Sequence, residues 1–175
     1  MSKIRSWLKL NLWMYTESRG TVGTNEARIA ASEINFSHDL IFDTGRFVLH
    51  LLHTKQFDLI HQLGFVSGRD RDKLTKIPHH RGVLGAPVLD DCYTHFECKV
   101  VNVMDTGSST LFLGDVVEVG FGAASKPNGE VMTAAHFRAN MPPAWRKEYE
   151  GLLGAAQRFA DEKSRHIVPV VWRGL

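Results

Sequence analysis

The sequence predicts a domain of mainly β structure with helices, and three features support this prediction. Two long apolar segments, 93–103 and 110–119, flank the turn residues 105–108 and predict a β-hairpin. Residues 46–52 are rich in β-forming side chains and predict a buried strand. Pro142 and Pro143 open a long amphipathic helix, because proline is tolerated in the first turn of a helix.

Length and composition favour one folded domain. The chain has 175 residues, 43% of them hydrophobic, so it is large enough to bury a core without a disulfide framework or a structural metal. Lys and Arg total 21 and Asp and Glu total 19, which leaves a formal charge of +2. This near balance argues against a dedicated nucleic-acid binder.

The chain lacks the signals of a secreted or membrane protein. No run of about 18 apolar residues is present, so no membrane-spanning helix is expected. Residues 1–12 lack the uninterrupted apolar stretch and small-residue cleavage site of a signal peptide. The only cysteines are Cys92 and Cys98, and this usage fits a reducing, cytoplasmic location.

Cysteine and histidine spacings suggest metal binding only at first sight. In Cys92-x2-His95-x2-Cys98, strand alternation would turn His95 away from both cysteines, and the second ligand pair of a zinc site is missing, so structural cysteines are favoured. The pairs at 50 and 53 and at 79 and 80 fit surface histidines better than ligands. We therefore expect no metal site.

Two short polar segments are candidates for binding an anion. Ser37 is predicted to cap a helix over 38–44 that ends at Gly45, and the amides at such a helix start favour an anion, with Ser37 and His38 as further donors. Small residues followed by cations at 67–73 could also cradle a phosphate. The alternatives are an ordinary helix cap and a solvated turn with Arg–Asp pairs.

Several motifs follow one another in a specific order over roughly residues 34–119. They are Asn-Phe-Ser-His-Asp-Leu-Ile (35–41), Thr-Gly-Arg-Phe-Val-Leu-His-Leu-Leu (44–52), the Ser-Gly-Arg-Asp block within 63–74, Gly-Ala-Pro-Val-Leu (85–89) and the paired segments 96–101 and 111–117. This ordered set resembles one known family, the flavin reductase-like FMN-binding split-barrel proteins.

This resemblance implies a Greek-key split β-barrel over residues 1–140 with a C-terminal helical extension over 141–175. It implies a homodimer with FMN, or alternatively FAD, near the subunit interface, and NAD(P)H as a candidate electron donor. A monooxygenase or a rubredoxin is a candidate redox partner. The cofactor-binding residues it implies are Asn35, Ser37, His38, Ser67, Gly68, Arg69 and Lys73. No catalytic side chain is assigned, since hydride transfer to a flavin requires none.

The N-terminal segment departs from the family pattern. Family members carry more strands before the Ser-His element than residues 1–34 supply, and some of those strands contact the flavin. The sequence therefore leaves a second interpretation open, a non-catalytic dimeric split-barrel binding protein that has lost FMN.

Overall fold

A curled antiparallel sheet of five strands forms half a barrel and organises the fold. The computed structural model describes residues 13–14, 25–126 and 129–164. The strands of the large sheet are β1 (Trp13–Met14), β2 (Glu26–Ser32), β3 (Arg46–Leu51), β6 (Thr94–Asp105) and β7 (Ser109–Gly120), and a separate pair consists of β4 (His79–Arg81) and β5 (Pro87–Leu89). The spatial order β1-β2-β7-β6-β3 places the long hairpin in the centre.

Four helices accompany the sheet within the described residues. They are α1 (Phe36–Thr44), α2 (Phe57–Gly64), α3 (Ala134–Asn140) and α4 (Pro143–Ser164). The predicted end of α1 is confirmed, because Gly45 adopts the left-handed conformation with φ of 63° that glycine tolerates. The predicted start is wrong by two residues, since Asn35 occupies the N-cap position and Ser37 lies inside the first turn. None of these helices is long and apolar enough to cross a membrane.

The hairpin prediction is confirmed by the pairing of β6 with β7. Irregularities in register occur between Glu97 and Cys98 and between Val100 and Asn102. Such bulges bend a strand and increase its twist, which suits a curled sheet. The central Phe112 is fully buried, whereas Val101, Val103, Met104, Val117 and Val119 remain between 44% and 56% exposed.

The two larger of the three apolar clusters among the described residues lie in different parts of the fold. One lies on the large sheet beneath α1 and contains Ile29, Ala31, Ile41, Phe47, Leu49, Cys98 and Phe112. The other includes Ile60 and Leu63 of α2, and Trp145, Tyr149 and Leu152 of α4 pack against it. The amphipathic interpretation of α4 is thereby confirmed, while the domain division at 140/141 stays a prediction.

The cysteines are buried free thiols in different clusters, as expected for structural residues. Burial raises the pKa of Cys92 to about 11 and that of Cys98 to about 12. The expectation that His95 points away from both cysteines is wrong for Cys92, whose Sγ lies 4.0 Å from His95 Nδ1. Strand alternation does not apply to Cys92, because β6 begins only at Thr94.

The four histidines predicted to be surface residues differ in exposure, and His53 is half-buried. His79 and His80 are exposed, as predicted. For His50 the prediction is wrong, because its Nε2 accepts a hydrogen bond from the Leu89 amide at 3.0 Å and its Nδ1 is buried. Burial, with smaller contributions from His95 and His80, lowers the pKa of His50 to about 3. Across the described ranges no three His, Cys, Asp or Glu side chains are grouped to hold a metal ion.

Candidate functional site

The start of α1 carries the first group of candidate residues. After β2 the chain turns, with the Asn35 amide donating to the Ser32 carbonyl at 2.9 Å and the His38 amide to the Asn35 carbonyl at 3.0 Å. Asn35 is buried, but its side chain does not cap the helix. Apart from the His38 amide, the first amides of the helix have no acceptor within it, and they lie at the positive end of its dipole. This end of α1 therefore favours a negatively charged group.

Ser37 adds a hydroxyl in the first turn. Its side chain is half-buried and makes no hydrogen bond to any other residue that the structure describes. The hydroxyl can therefore donate to a ligand without first breaking a contact within the protein.

Both ring nitrogens of His38 are already engaged by protein groups. Nε2 lies 2.8 Å from the hydroxyl oxygen of Thr110 in β7, and Nδ1 lies 3.2 Å from Oδ1 of Asp39. The ring also contacts Phe42 and Phe112, with centroid separations of 5.9 and 5.7 Å. Only 13% of the His38 side chain is exposed. His38 therefore connects α1 to the sheet and has no ring nitrogen left for a ligand.

The second polar segment is a turn that sends Arg69 across to α1. The Asp70 amide donates to the Ser67 carbonyl at 3.2 Å and the Arg69 amide to the Ser67 hydroxyl at 3.3 Å, while Gly68 is buried. The Arg69 guanidinium then donates through Nη2 to Asp39 Oδ2 at 2.5 Å. The fold thus brings the two sequence-predicted segments together through this ion pair.

Two more contacts hold the Arg69 guanidinium in place. Its Nη1 donates to the Ile34 carbonyl at 3.0 Å, and its central carbon lies 5.3 Å from the centre of the Phe36 ring. The side chain is nevertheless 44% exposed. Within the described residues the other guanidinium N–H groups have no partner, so they are available to an anionic ligand.

Lys73 lies apart from this group. It is only 6% exposed, and its ammonium donates a hydrogen bond to the Leu63 carbonyl at the end of α2. Of the seven candidate residues, the structure places Asn35, Ser37 and His38 at the start of α1 and brings Arg69 into contact with it. Ser67 and Gly68 belong to the turn that carries Arg69, and Lys73 bonds to the end of α2 instead. Their assignment to cofactor binding stays a prediction.

Sequence analysis missed Asp39 and Thr110, which complete the contacts of His38 and Arg69. Thr110 lies two residues before Phe112 in β7, so the two side chains lie on the same face of the strand, the face that meets α1. This alternation could have identified Thr110 as a partner of α1. For Asp39 the sequence offered only its place beside His38.

The donors at this site fit a phosphate group. Helix amides, the Ser37 hydroxyl and an exposed guanidinium are the groups with which proteins bind phosphate. The Asp39 carboxylate is the exception, because it places a negative charge beside the guanidinium. The described residues of the site suit binding and orientation of an anionic ligand.

Comparison with known proteins assigns the chain to a family. The sequence profile of the family described as "Flavin reductase like domain" matches residues 28–143, which is more than half of the chain. This chain therefore belongs to the flavin reductase-like family, and the fold expected from the resemblance, a split β-barrel, is confirmed.

Individual relatives are similar at lower coverage. A high molecular weight rubredoxin of Moorella thermoacetica is 31% identical over 62% of this chain and 47% of its own length. A flavin-dependent monooxygenase reductase subunit, HsaB, of Mycobacterium tuberculosis is 25% identical over 70% of this chain and 66% of its own.

A solved structure supports the same fold. The crystal structure of an FMN-binding protein from Thermus thermophilus is 34% identical, with a TM-score of 0.52, over 55% of this chain and 54% of that one. The chain thus spans about half to two thirds of the length of the relatives it matches.

Proposed function

We propose that this chain binds a flavin, FMN or FAD, and transfers electrons between NAD(P)H and that flavin or carries electrons on bound FMN. The observation that carries the proposal is the meeting of Arg69 with the start of α1 in a chain of the flavin reductase-like family. The names of the relatives support it, since they include a flavin-dependent monooxygenase reductase subunit and an FMN-binding protein.

In this function the residues of the site bind and orient the cofactor. The Ser37 hydroxyl, the first amides of α1 and the exposed Arg69 guanidinium would hold the flavin phosphate. His38 would keep α1 in place against β7 through its contact with Thr110. A bound flavin supplies the ability to accept a hydride and to pass on electrons.

Dimerisation is part of the proposal. Five apolar side chains of the β6–β7 hairpin, Val101, Val103, Met104, Val117 and Val119, are between 44% and 56% exposed. A second copy of the chain would cover them and remove apolar surface from water.

We also propose a partner protein, such as a monooxygenase, as acceptor of the electrons, because one relative is named as the reductase subunit of such an enzyme.

The visible spectrum tests the function. Purified protein is mixed with FMN or FAD, separated from free flavin, and examined for the flavin absorption band; NAD(P)H oxidation in the presence of added flavin is then followed. Bound flavin and flavin-dependent oxidation of NAD(P)H are expected. A colourless protein that binds neither flavin would favour the alternative, a dimeric split-barrel protein that has lost its cofactor.

A further inference from the structure

A carboxylate already accepts a hydrogen bond from the Arg69 guanidinium, beside the N–H groups that are open to an anionic ligand. Asp39 Oδ2 lies 2.5 Å from Arg69 Nη2, and the other oxygen, Oδ1, lies 3.2 Å from His38 Nδ1. The carboxylate thus contacts two of the side chains that were predicted to bind the cofactor, His38 and Arg69. Carboxylates and phosphates are both preferred anionic acceptors for a guanidinium.

The Arg69 guanidinium is held close to Asp39, so it cannot easily move away to bind a phosphate elsewhere. Its second contact, from Nη1 to the Ile34 carbonyl at 3.0 Å, and its position over the Phe36 ring hold it at the start of α1. A phosphate that reaches the exposed N–H groups of Arg69 therefore comes close to the Asp39 carboxylate. Like charges at such a distance repel, and the repulsion is reduced but not removed by solvent.

We propose that Asp39 acts as an intramolecular competitor for the flavin phosphate at Arg69 and thereby limits the preference of this chain for FMN over riboflavin. The proposal rests on the proposed flavin binding. It specifies which residue determines how strongly the flavin affinity depends on the phosphate group. Riboflavin shares the ring system and the ribityl chain of FMN and lacks the phosphate, so it does not meet this repulsion.

Asp43 provides a matched control on the same helix. It lies one turn after Asp39, is exposed, and makes no ion pair within the described residues. The change Asp43→Asn removes the same unit of charge from α1 without touching Arg69 or His38. Any effect that arises only from the net charge of the helix will therefore appear in both variants.

The test measures the affinities for FMN and for riboflavin by fluorescence titration of the full-length wild-type protein, Asp39→Asn and Asp43→Asn. For Asp39→Asn we expect FMN to bind about three- to tenfold more tightly, the size expected for removing one charge close to a phosphate in a largely aqueous environment. Riboflavin affinity should stay within about twofold. Asp43→Asn should leave both affinities near those of the wild type.

Each other result overturns the proposal in a recognisable way. Weaker binding of FMN to Asp39→Asn would show that Asp39 positions Arg69. An equal increase in the affinities for FMN and riboflavin would show that the effect of Asp39 does not depend on the phosphate. Wild-type binding of FMN with no change in Asp39→Asn would refute this inference while leaving the proposed function intact. Failure of all proteins to bind either flavin would refute the proposed function and the inference with it. Thermal melts verify folding, and Asp39→Ser replaces Asp39→Asn if the latter is unfolded.

Discussion

The hydroxyl oxygen of Thr110 lies 2.8 Å from Nε2 of His38 and joins the first turn of α1 to the start of β7. Because Asp39 engages the opposite ring nitrogen, the imidazole is held at both ends. The structure thus gives His38 a positioning role next to the candidate phosphate site and leaves direct donation to Ser37 and Arg69.

Separate substitutions of Ser37 and His38 test this division of roles. His38→Ala should destabilise the flavin-free protein by about 1–3 kcal/mol, since it breaks partly buried hydrogen bonds and removes ring contacts. Ser37→Ala should weaken FMN binding several-fold and leave the melting temperature nearly unchanged. Thermal melts and FMN titrations measure both effects. A His38→Ala protein of normal stability that no longer binds FMN would contradict the positioning role.

Arg69→Ala should weaken FMN binding about tenfold, as expected for the loss of one charge-assisted hydrogen bond. The melting temperature of the flavin-free protein should fall by only a degree or two, because half-exposed ion pairs contribute about 0–1 kcal/mol. Arg71→Ala, an exposed cation two residues away in the same loop, is the matched control and should retain wild-type affinity. Equal losses of affinity in the two variants would indicate a general charge effect in place of a defined contact.

The structure changes what is expected of Lys73. The family resemblance placed Lys73 among the cofactor-binding residues, which implies that Lys73→Ala weakens FMN binding. Since the ammonium is buried and donates to the Leu63 carbonyl, its removal should lower the melting temperature by at least about 3 °C. The exposed Lys76 in the same connection offers the comparison, and Lys76→Ala should melt like the wild type. An unchanged melting temperature for Lys73→Ala would refute the structural role.

Val117→Glu should convert the proposed dimer into a monomer. Val117 is 46% exposed among the other apolar residues of the hairpin, so a carboxylate there would be buried without a partner in the dimer. Val83→Glu is the control, because Val83 is 69% exposed but lies outside the hairpin. Light scattering at micromolar concentration measures the mass. A monomeric wild-type protein would refute the dimer itself.

His50 should make stability depend on pH in acid solution. Its pKa is lowered to about 3 in the folded chain, whereas an unfolded histidine titrates near 6.5, so between these values the unfolded chain binds more protons. The free energy of unfolding should therefore fall as the pH decreases from about 6.5 towards 3. Above about pH 6.5 the contribution of His50 to stability should be fully present. The pKa of His95 is lowered by burial as well and adds an effect of the same sign.

The change His50→Gln should flatten this dependence, because the glutamine carbonyl can still accept from the Leu89 amide but does not titrate. Urea unfolding of both proteins at pH 7 and pH 5 measures the difference. His79→Gln, a change at an exposed histidine, should keep the wild-type slope. If His50→Gln lost stability on acidification as steeply as the wild type, other groups would be responsible.

Helix ends, turns and the apolar faces of helices could be predicted from the sequence, because they depend on residues that are close together in the chain. Gly45 ends α1 as expected, and the turn at 105–108 joins β6 to β7 as expected. The apolar face of α4 was also evident from its spacing. Errors occurred where local signals were weak: α3 was missed, and Asn35 replaced Ser37 as the N-cap.

The sequence by itself determined the long hairpin, the strand at 46–52, the long C-terminal helix, the family resemblance and the two polar segments, because turn residues, hydrophobic periodicity and short motifs act over a few positions. Only the tertiary structure decided which side chains meet. Asp39 and Arg69 are 30 residues apart, and His38 and Thr110 are 72 apart. Such contacts depend on the path of the loops and on the register of the sheet. The same long-range packing turned Lys73 inward and left Arg69 at the surface, although both belong to one short run of charged residues.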